Sequence, residues 1–163
     1  MADLTFDQTA TVRKDAIAAV AGKGNANAVQ TLVSCTIELA TTASGQTIKL
    51  GRIPSNARLL PMCGIYNDDL ATSGAPTLDI GLASVDSNIT SDPDAINAGI
   101  VLNAATNTVQ LYADAANSGL PVWDLVNGQS TDPKGLLDVY ATIKDATTNA
   151  AGTLSVTILG YLD

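Results

Sequence analysis

A period of two runs through the chain from Val29 to Leu39. Val29, Thr31, Val33, Cys35, Ile37 and Leu39 fall on one parity, and Gln30, Leu32, Ser34, Thr36 and Glu38 on the other. An extended backbone sends successive side chains to opposite faces, so this stretch predicts a long strand with one buried face. The same period returns near the end of the chain. Leu137, Val139, Ala141 and Ile143 alternate in one run, and Leu154, Val156, Ile158, Gly160 and Leu162 in the next. DATTNAAG lies between the two runs, and the three pieces together predict a hairpin.

Shorter runs fill the middle. Residues 47–53 predict a strand with Ile48 and Leu50 on one face, ended by Pro54, Ser55 and Asn56. Residues 58–66 predict another, interrupted at Pro61 and Gly64 as an edge strand or a bulge would be. Residues 77–82 predict a short strand with Leu78, Ile80 and Leu82 inward, and residues 108–112 a further one. One short helix is expected. Ser91-Asp92-Pro93-Asp94 places Pro where a first helical turn accepts it, and the segment ends near Gly99. Many short strands with turn residues between them predict an all-β fold, a single β-sandwich of jelly-roll-like form.

Composition agrees with strands and turns. A chain of 163 residues makes about one domain. Fifteen of its sixteen acids are Asp, Glu38 being the exception. Asp favours turns and caps whereas Glu favours helices, so few long exposed helices are expected. Only six residues are aromatic, which predicts a thin core of Leu, Ile and Val.

Residues 1–28 stand apart. They hold three of the eight basic residues, Arg13, Lys14 and Lys23, and few large apolar side chains, chiefly Leu4, Phe6, Val12, Ile17 and Val20. RKDAIAAVA could wind two helical turns, which are marginal alone in water, and GKGNANA interrupts regular structure. The expected organisation is an N-terminal arm at 1–28, flexible or ordered by a partner, followed by a sandwich domain at 29–163. Arg13, Lys14, Ile17, Val20 and Lys23 are candidate interface residues, suited to an acidic shell subunit or sister copy. Trp123, the single Trp, either covers one end of the sandwich or anchors a subunit interface, where Trp is enriched.

Reaction chemistry is sparse. The chain has no His, which removes the usual general base, the Ser-His-Asp triad and the commonest zinc ligand. GKG at residues 22–24 lacks the Walker spacing and the following Ser or Thr, and no calcium-loop pattern occurs. Asp68-Asp69 and Asp92-Pro93-Asp94 read as solvated turn acids, with weak calcium binding as the alternative. A glycosidase needs only two carboxylates, but so few aromatics leave little for sugar stacking. Cys35 and Cys63 lie in no metal-like spacing, and two reduced, buried thiols are expected, as suits a reducing cytoplasm. A net charge of −8 opposes phosphate contacts, so no direct nucleic-acid partner is expected. MADLTFDQTA is not a signal peptide, and Asn97, Asn103, Asn107 and Gln110 disqualify the uncharged stretch 95–113 as a membrane span. No catalytic residue, cofactor or metal ligand is assigned.

Three segments taken together resemble a known family. They are IKLGRIPSNARLLPMCGIYND at residues 48–68 running on to TLDIGLAS at 77–84, GLPVWDLVNGQSTDPKG at 119–135, and DVYATIKDATTNAAGTLSVTILGYLD at 138–163. Their order is similar to that of small head proteins of tailed bacteriophages, the capsid decoration (cement) proteins or other head structural proteins. There a G-[KR]-[IL]-P-x-x-A-R strand-turn-strand precedes T-L-D-[IL]-G, and an Ala/Thr-rich hairpin ending in Tyr closes the pattern. The resemblance covers roughly residues 29–163 and leaves the first 28 aside. It implies a structural protein on the outer surface of the virion capsid, assembled in the host cytoplasm. It further implies the major capsid protein as partner and a homo-oligomer, a trimer first and a dimer second. The matching residues are structural: Gly51 and Pro54 bracket a turn, Ala57-Arg58 restarts a strand, and Asp79 and Gly81 face outward. The same resemblance admits a head–tail or tail accessory protein, or a virion-displayed glycan-binding module.

Overall fold

The structure, a computed structural model, describes residues 29–61, 64–85, 89–105 and 115–162. Eight strands run through them: β1 (Gln30–Leu39), β2 (Thr47–Pro54), β3 (Ala57–Leu59), β4 (Gly64–Asn67), β5 (Thr77–Ser84), β6 (Asp92–Val101), β7 (Leu136–Lys144) and β8 (Gly152–Leu162). They form two antiparallel four-stranded sheets. One has the order β1-β8-β3, with β4 also on β8, and the other β2-β7-β5-β6. Short 3-10 turns at Ala115–Asn117 and Val122–Leu125 lie between β6 and β7. The result is an all-β sandwich, as the alternation predicts.

The core lies between the sheets. Leu78, Ile80 and Leu82 of β5, Leu137, Val139, Ala141 and Ile143 of β7, and Leu154, Val156 and Ile158 of β8 are buried in one cluster. β1 adds Val33, Cys35 and Leu39, and β2 adds Ile48, Leu50 and Ile53. Among the described residues the cluster holds no aromatic side chain. Cys35 is a free thiol whose pKa burial pushes up. Cys63, the arm and the strand expected at 108–112 lie outside the described residues.

Bulges adjust the alternation. In β2 the register against β7 shifts between Lys49 and Gly51, so Leu50 and Ile53 both face inward although their parity differs. In β1 the register against β8 shifts between Thr31 and Val33. That shift breaks the expected parity at the start of the strand: Val29 is 60% exposed and Thr31 is exposed, while Leu32 packs against the core. β3 and β4 lie on the same side of β8, pairing with Gly160–Leu162 and Leu154–Thr157. They are one edge strand interrupted around Pro61, as the sequence suggests.

Two expectations are corrected. Residues 92–101 form β6 and not a helix. Ala95, Ile96 and Ile100 are buried through pairing with β5, and an edge strand tolerates Pro93. A Cβ at Gly81 would run into the Asp92 carbonyl and the Pro93 backbone, so glycine there admits the start of β6 against β5. The C-terminal pair is not a hairpin either, because β7 and β8 belong to different sheets. Residues 145–151 carry the chain across. Buried Thr148 pins that crossing to the β1–β2 connection, its Oγ1 donating to the Ala40 carbonyl at 2.9 Å and accepting from the Thr42 amide at 2.9 Å.

Candidate interaction surface

Pro54 ends β2, and Ser55 occupies the turn into β3 with only 2% exposure. Its polar atoms are fully engaged. The Ser55 amide donates to the Gly135 carbonyl at 2.9 Å, and its carbonyl accepts from the Trp123 amide at 3.1 Å. Its hydroxyl donates to Asp132 Oδ1 at 2.6 Å and accepts from the Gly135 amide at 3.2 Å. The same Asp132 oxygen accepts from the Lys134 amide at 2.8 Å, which supports the positive φ of 53° at Lys134. The Arg58 guanidinium donates to the Gly119 carbonyl, and a backbone bridge joins Arg58 to Pro121. These bonds gather the segments IPSNAR and GLPVWDLVNGQSTDPKG at one place beside β3. Trp123 lies there half-buried in its 3-10 turn. Ser55 and Asp132 escaped the sequence reading. Their signals were a Ser directly after the Pro that ends a strand, and an Asp-Pro in the loop before the next run.

The two outer faces of the sandwich differ in chemistry. On the β2-β7-β5-β6 sheet, Asp138 receives Lys49 Nζ at 2.8 Å and Arg52 Nε at 2.5 Å. Partial burial pushes the Asp138 carboxyl up. The hydrogen bonds and charges of Arg52 and Lys49 outweigh that and hold it below the usual range. Asp79, 7% exposed, accepts from the Gly99 amide at 2.9 Å and has Lys144 Nζ at 3.7 Å. At the start of β6 a hydrogen bond to Asp92 raises the pKa of Asp94, helped by burial and by the Asp92 charge. Burial, and then the charges of Asp92 and Asp94, raise that of Tyr140. Asp92 also accepts from the backbone, its Oδ2 taking the Asn127 amide at 2.7 Å. Among the described residues no three of His, Cys, Asp and Glu form a metal-holding group.

The other sheet is nearly uncharged. β1 and β8 together carry one ionisable acid or base of the Asp, Glu, Lys and Arg type, Glu38. Their outward side chains are mostly hydroxyls. Thr36 Oγ1 and Ser155 Oγ share a hydrogen bond of 3.0 Å, and Thr153 Oγ1 donates to Glu38 Oε1 at 2.8 Å. Tyr66, 45% exposed, stands beside Ser155 on β4. Arg13, Lys14, Ile17, Val20 and Lys23 lie outside the described residues, so only Trp123 of the sequence-derived interface residues has a place in the structure.

No protein-family model matches the chain, and a search of curated proteins finds no relative. Solved structures match in fold. A chain of the cyanophage Pam1 capsid asymmetric unit aligns with a TM-score of 0.59 and 16% identity, covering 87% of this chain and 90% of the other. A chain of the capsid of Ralstonia phage GP4 aligns with a TM-score of 0.54 and 20% identity, covering 80% and 83%. Both alignments span most of both chains, so the likeness is to the whole sandwich. At such identities it is a likeness of fold.

Proposed function

We propose that this chain is a non-enzymatic structural protein of a bacteriophage virion. Within that class we read it as a decoration (cement) protein, bound to the major capsid protein on the outer surface of the assembled shell. The observation that carries the reading is a sandwich shared over most of its length with chains from two phage capsids. The segments that resemble tailed-phage head proteins point the same way. The bonds around Ser55 tie two of those segments together, a structural reason for their occurring in one chain.

The strand order supports the finer jelly-roll reading. β1 lies beside β8, β2 beside β7 and β5 beside β6. Those pairs are the rungs of one long antiparallel ribbon wrapped into two sheets, as in a jelly roll. The remaining rung would face β3 and β4, where the Arg58–Pro121 bridge already brings in the chain between β6 and β7.

The mechanism is mass action. A protein that binds the assembled shell but not its loose subunits stabilises the shell by the free energy of that binding. Symmetry repeats the contact at every equivalent site, and a trimer suits local threefold positions. Trp123 and the arm residues Arg13, Lys14, Ile17, Val20 and Lys23 are the proposed contacts with shell or sister copy.

Particles and their unassembled subunits test this. Purified chain should co-sediment saturably with shells lacking it, fail to bind unassembled subunits, and raise the temperature at which shells open. Equal binding to loose subunits would overturn the decoration role. A copy number of about a dozen or fewer per particle would instead assign the chain to the neck or tail, whose symmetry offers few equivalent sites.

A further inference from the structure

The strands at the sheet margins are unequally guarded. β1 and the broken β3–β4 strand bound one sheet, and β2 and β6 bound the other. An uncovered margin exposes a row of unpaired backbone donors and acceptors, which proteins blunt with Lys, Pro, charge, bulges or interruption. β2 carries Lys49, Arg52, Pro54 and a bulge. β6 carries Asp92, Pro93, Asp94 and two register shifts. β3–β4 is interrupted around Pro61 and met at Arg58 by Pro121. β1, with the sequence QTLVSCTIEL, has no Lys, Arg or Pro. Its one register shift lies at its start, so Val33–Leu39 is regular, and among the described residues β1 pairs with β8 alone. With only Glu38 near its end and one register shift at its start, the most regular margin of the sandwich is therefore also the least protected.

We propose that the free edge of β1 receives residues Leu4–Val12 of a second copy of this chain as an added strand. Leu4, Phe6, Ala10 and Val12 share one parity, with Gln8 among them, and Thr5, Asp7, Thr9 and Thr11 share the other. That is the pattern of a strand with one buried face. Its nine residues match the ten of β1. The apolar side continues the core margin beside Val33, Cys35 and the half-buried Ile37. The hydroxyl side continues a face on which Thr36 and Ser155 already hydrogen-bond, and Thr and Ser neighbours favour adjacent strands. Charge permits the contact. Residues 1–28 hold three acids and three bases and are neutral, so the other residues hold 13 acids and 5 bases and carry the full −8.

The connection is long enough for exchange between copies. A tight antiparallel return onto its own β1 takes a turn of only about two to five residues. Residues 13–29 supply seventeen. Extended, they span roughly 55 Å, and roughly 40 Å if RKDAIAAVA winds as a helix. A body of this size is roughly 35–40 Å across, so the segment reaches a neighbouring copy. This inference stands apart from the capsid reading, because its test uses isolated protein.

The full-length chain and its Thr9→Pro and Ala26→Pro variants should be compared by analytical ultracentrifugation over a dilution series, with hydrogen exchange read on the same samples. The Thr9→Pro variant also carries Ala10→Pro, because neighbouring amides on a strand point to opposite edges and one of the two must face β1, whereas proline at 26 lies in the connection. The expected result is a self-associating parent and an Ala26→Pro variant that matches it. Thr9→Pro should associate at least about tenfold more weakly. The β1 amides facing away from β8 should exchange slowly in the parent and rapidly in Thr9→Pro. Unchanged β8 amides would show that each variant is folded. A monomer with slow β1 edge amides that Thr9→Pro releases would place the segment on its own β1 and overturn the exchange. A monomer with fast edge amides would show a bare edge, and association indifferent to Thr9→Pro would show another interface. Both overturn the proposal.

Discussion

Ser55 bonds through its amide, its carbonyl and its hydroxyl, all inside a turn. Truncating it to Ala leaves the Gly135 amide without its acceptor in a place where water is largely excluded, and takes from Asp132 Oδ1 one of its two donors. Ser55→Ala should therefore lower stability by about 1–3 kcal/mol, the penalty for an unsatisfied buried group, as read by urea denaturation. A change within about 0.5 kcal/mol, the size usual at plain surface positions, would mean that solvent enters the turn. Two carboxylates should respond to pH in opposite senses. Asp138 has a depressed pKa in the folded chain, so its contribution is present above the unfolded carboxylate value and fades as pH falls through the folded one. Asp138→Asn should cost up to about 1 kcal/mol near neutral pH, since all three side chains are partly solvated, and less in acid. Asp94 has a raised pKa, so its folded state favours the protonated form and that advantage is lost as pH rises through the folded value. Asp94→Asn should keep or raise the melting temperature near neutral pH and lose any gain below about pH 4. A thermal series across pH on both variants reads the two signs, and parallel curves would contradict the assignment.

At the level of the strand, parity decides where stability lies. Ile158 and Val139 are 0% exposed, whereas Thr153 and Ser155 point outward into hydrogen bonds at the surface. Ile158→Ala and Val139→Ala should each cost about 1–4 kcal/mol, the range for aliphatic truncation in a core. Thr153→Ala and Ser155→Ala should cost clearly less in the same denaturation series, and equal losses would mean that β8 is buried on both faces. This parity was legible in the sequence because the buried apolar residues of β5, β7 and β8 alternate strictly, and each of these strands runs without a bulge against one neighbour. It failed at Thr31, where a bulge that leaves no mark in residue type inverts the faces. It also failed for β6. Asp92-Pro93-Asp94 satisfies the local rules for a helix start, but Gly81 on another strand makes room for an extended chain, and that room is a tertiary property. The misread hairpin has a similar cause. DATTNAAG reads as a loop either way, and its destination is set by Thr148 bonding to Ala40 and Thr42, more than a hundred residues earlier. The site was legible in part for the same reason. Trp123 stands out by rarity, whereas Ser55 and Asp132 matter only through partners distant in sequence.

At the scale of the whole molecule, the described strands build a core that spans both sheets. Among the described residues, every buried apolar side chain of the cluster comes from residue 33 or later, and both sheets are built from those strands. The arm's few large apolar residues, Leu4, Phe6, Val12, Ile17 and Val20, are too few to form a second core. Folding and association should therefore separate. A chain beginning at Ala28 should keep the full set of core strands, and its melting temperature should stay close to that of the full chain when both are measured as monomers. A segment that orders only on contact loses conformational entropy on binding, yet it can cover a long surface, so its removal should appear in association and not in folding. The shortened chain is expected to self-associate, and to bind shells, at least about tenfold more weakly, a difference of about 1.4 kcal/mol. Light scattering gives the first quantity and co-sedimentation with particles the second. Unchanged values in both would make the arm idle, and an unfolded shortened chain would make residues 1–28 part of the sandwich. Loss of self-association with shell binding intact would place the arm between copies and leave the capsid contact to the body of the sandwich, where Trp123 stands half-buried beside the turn that Ser55 holds.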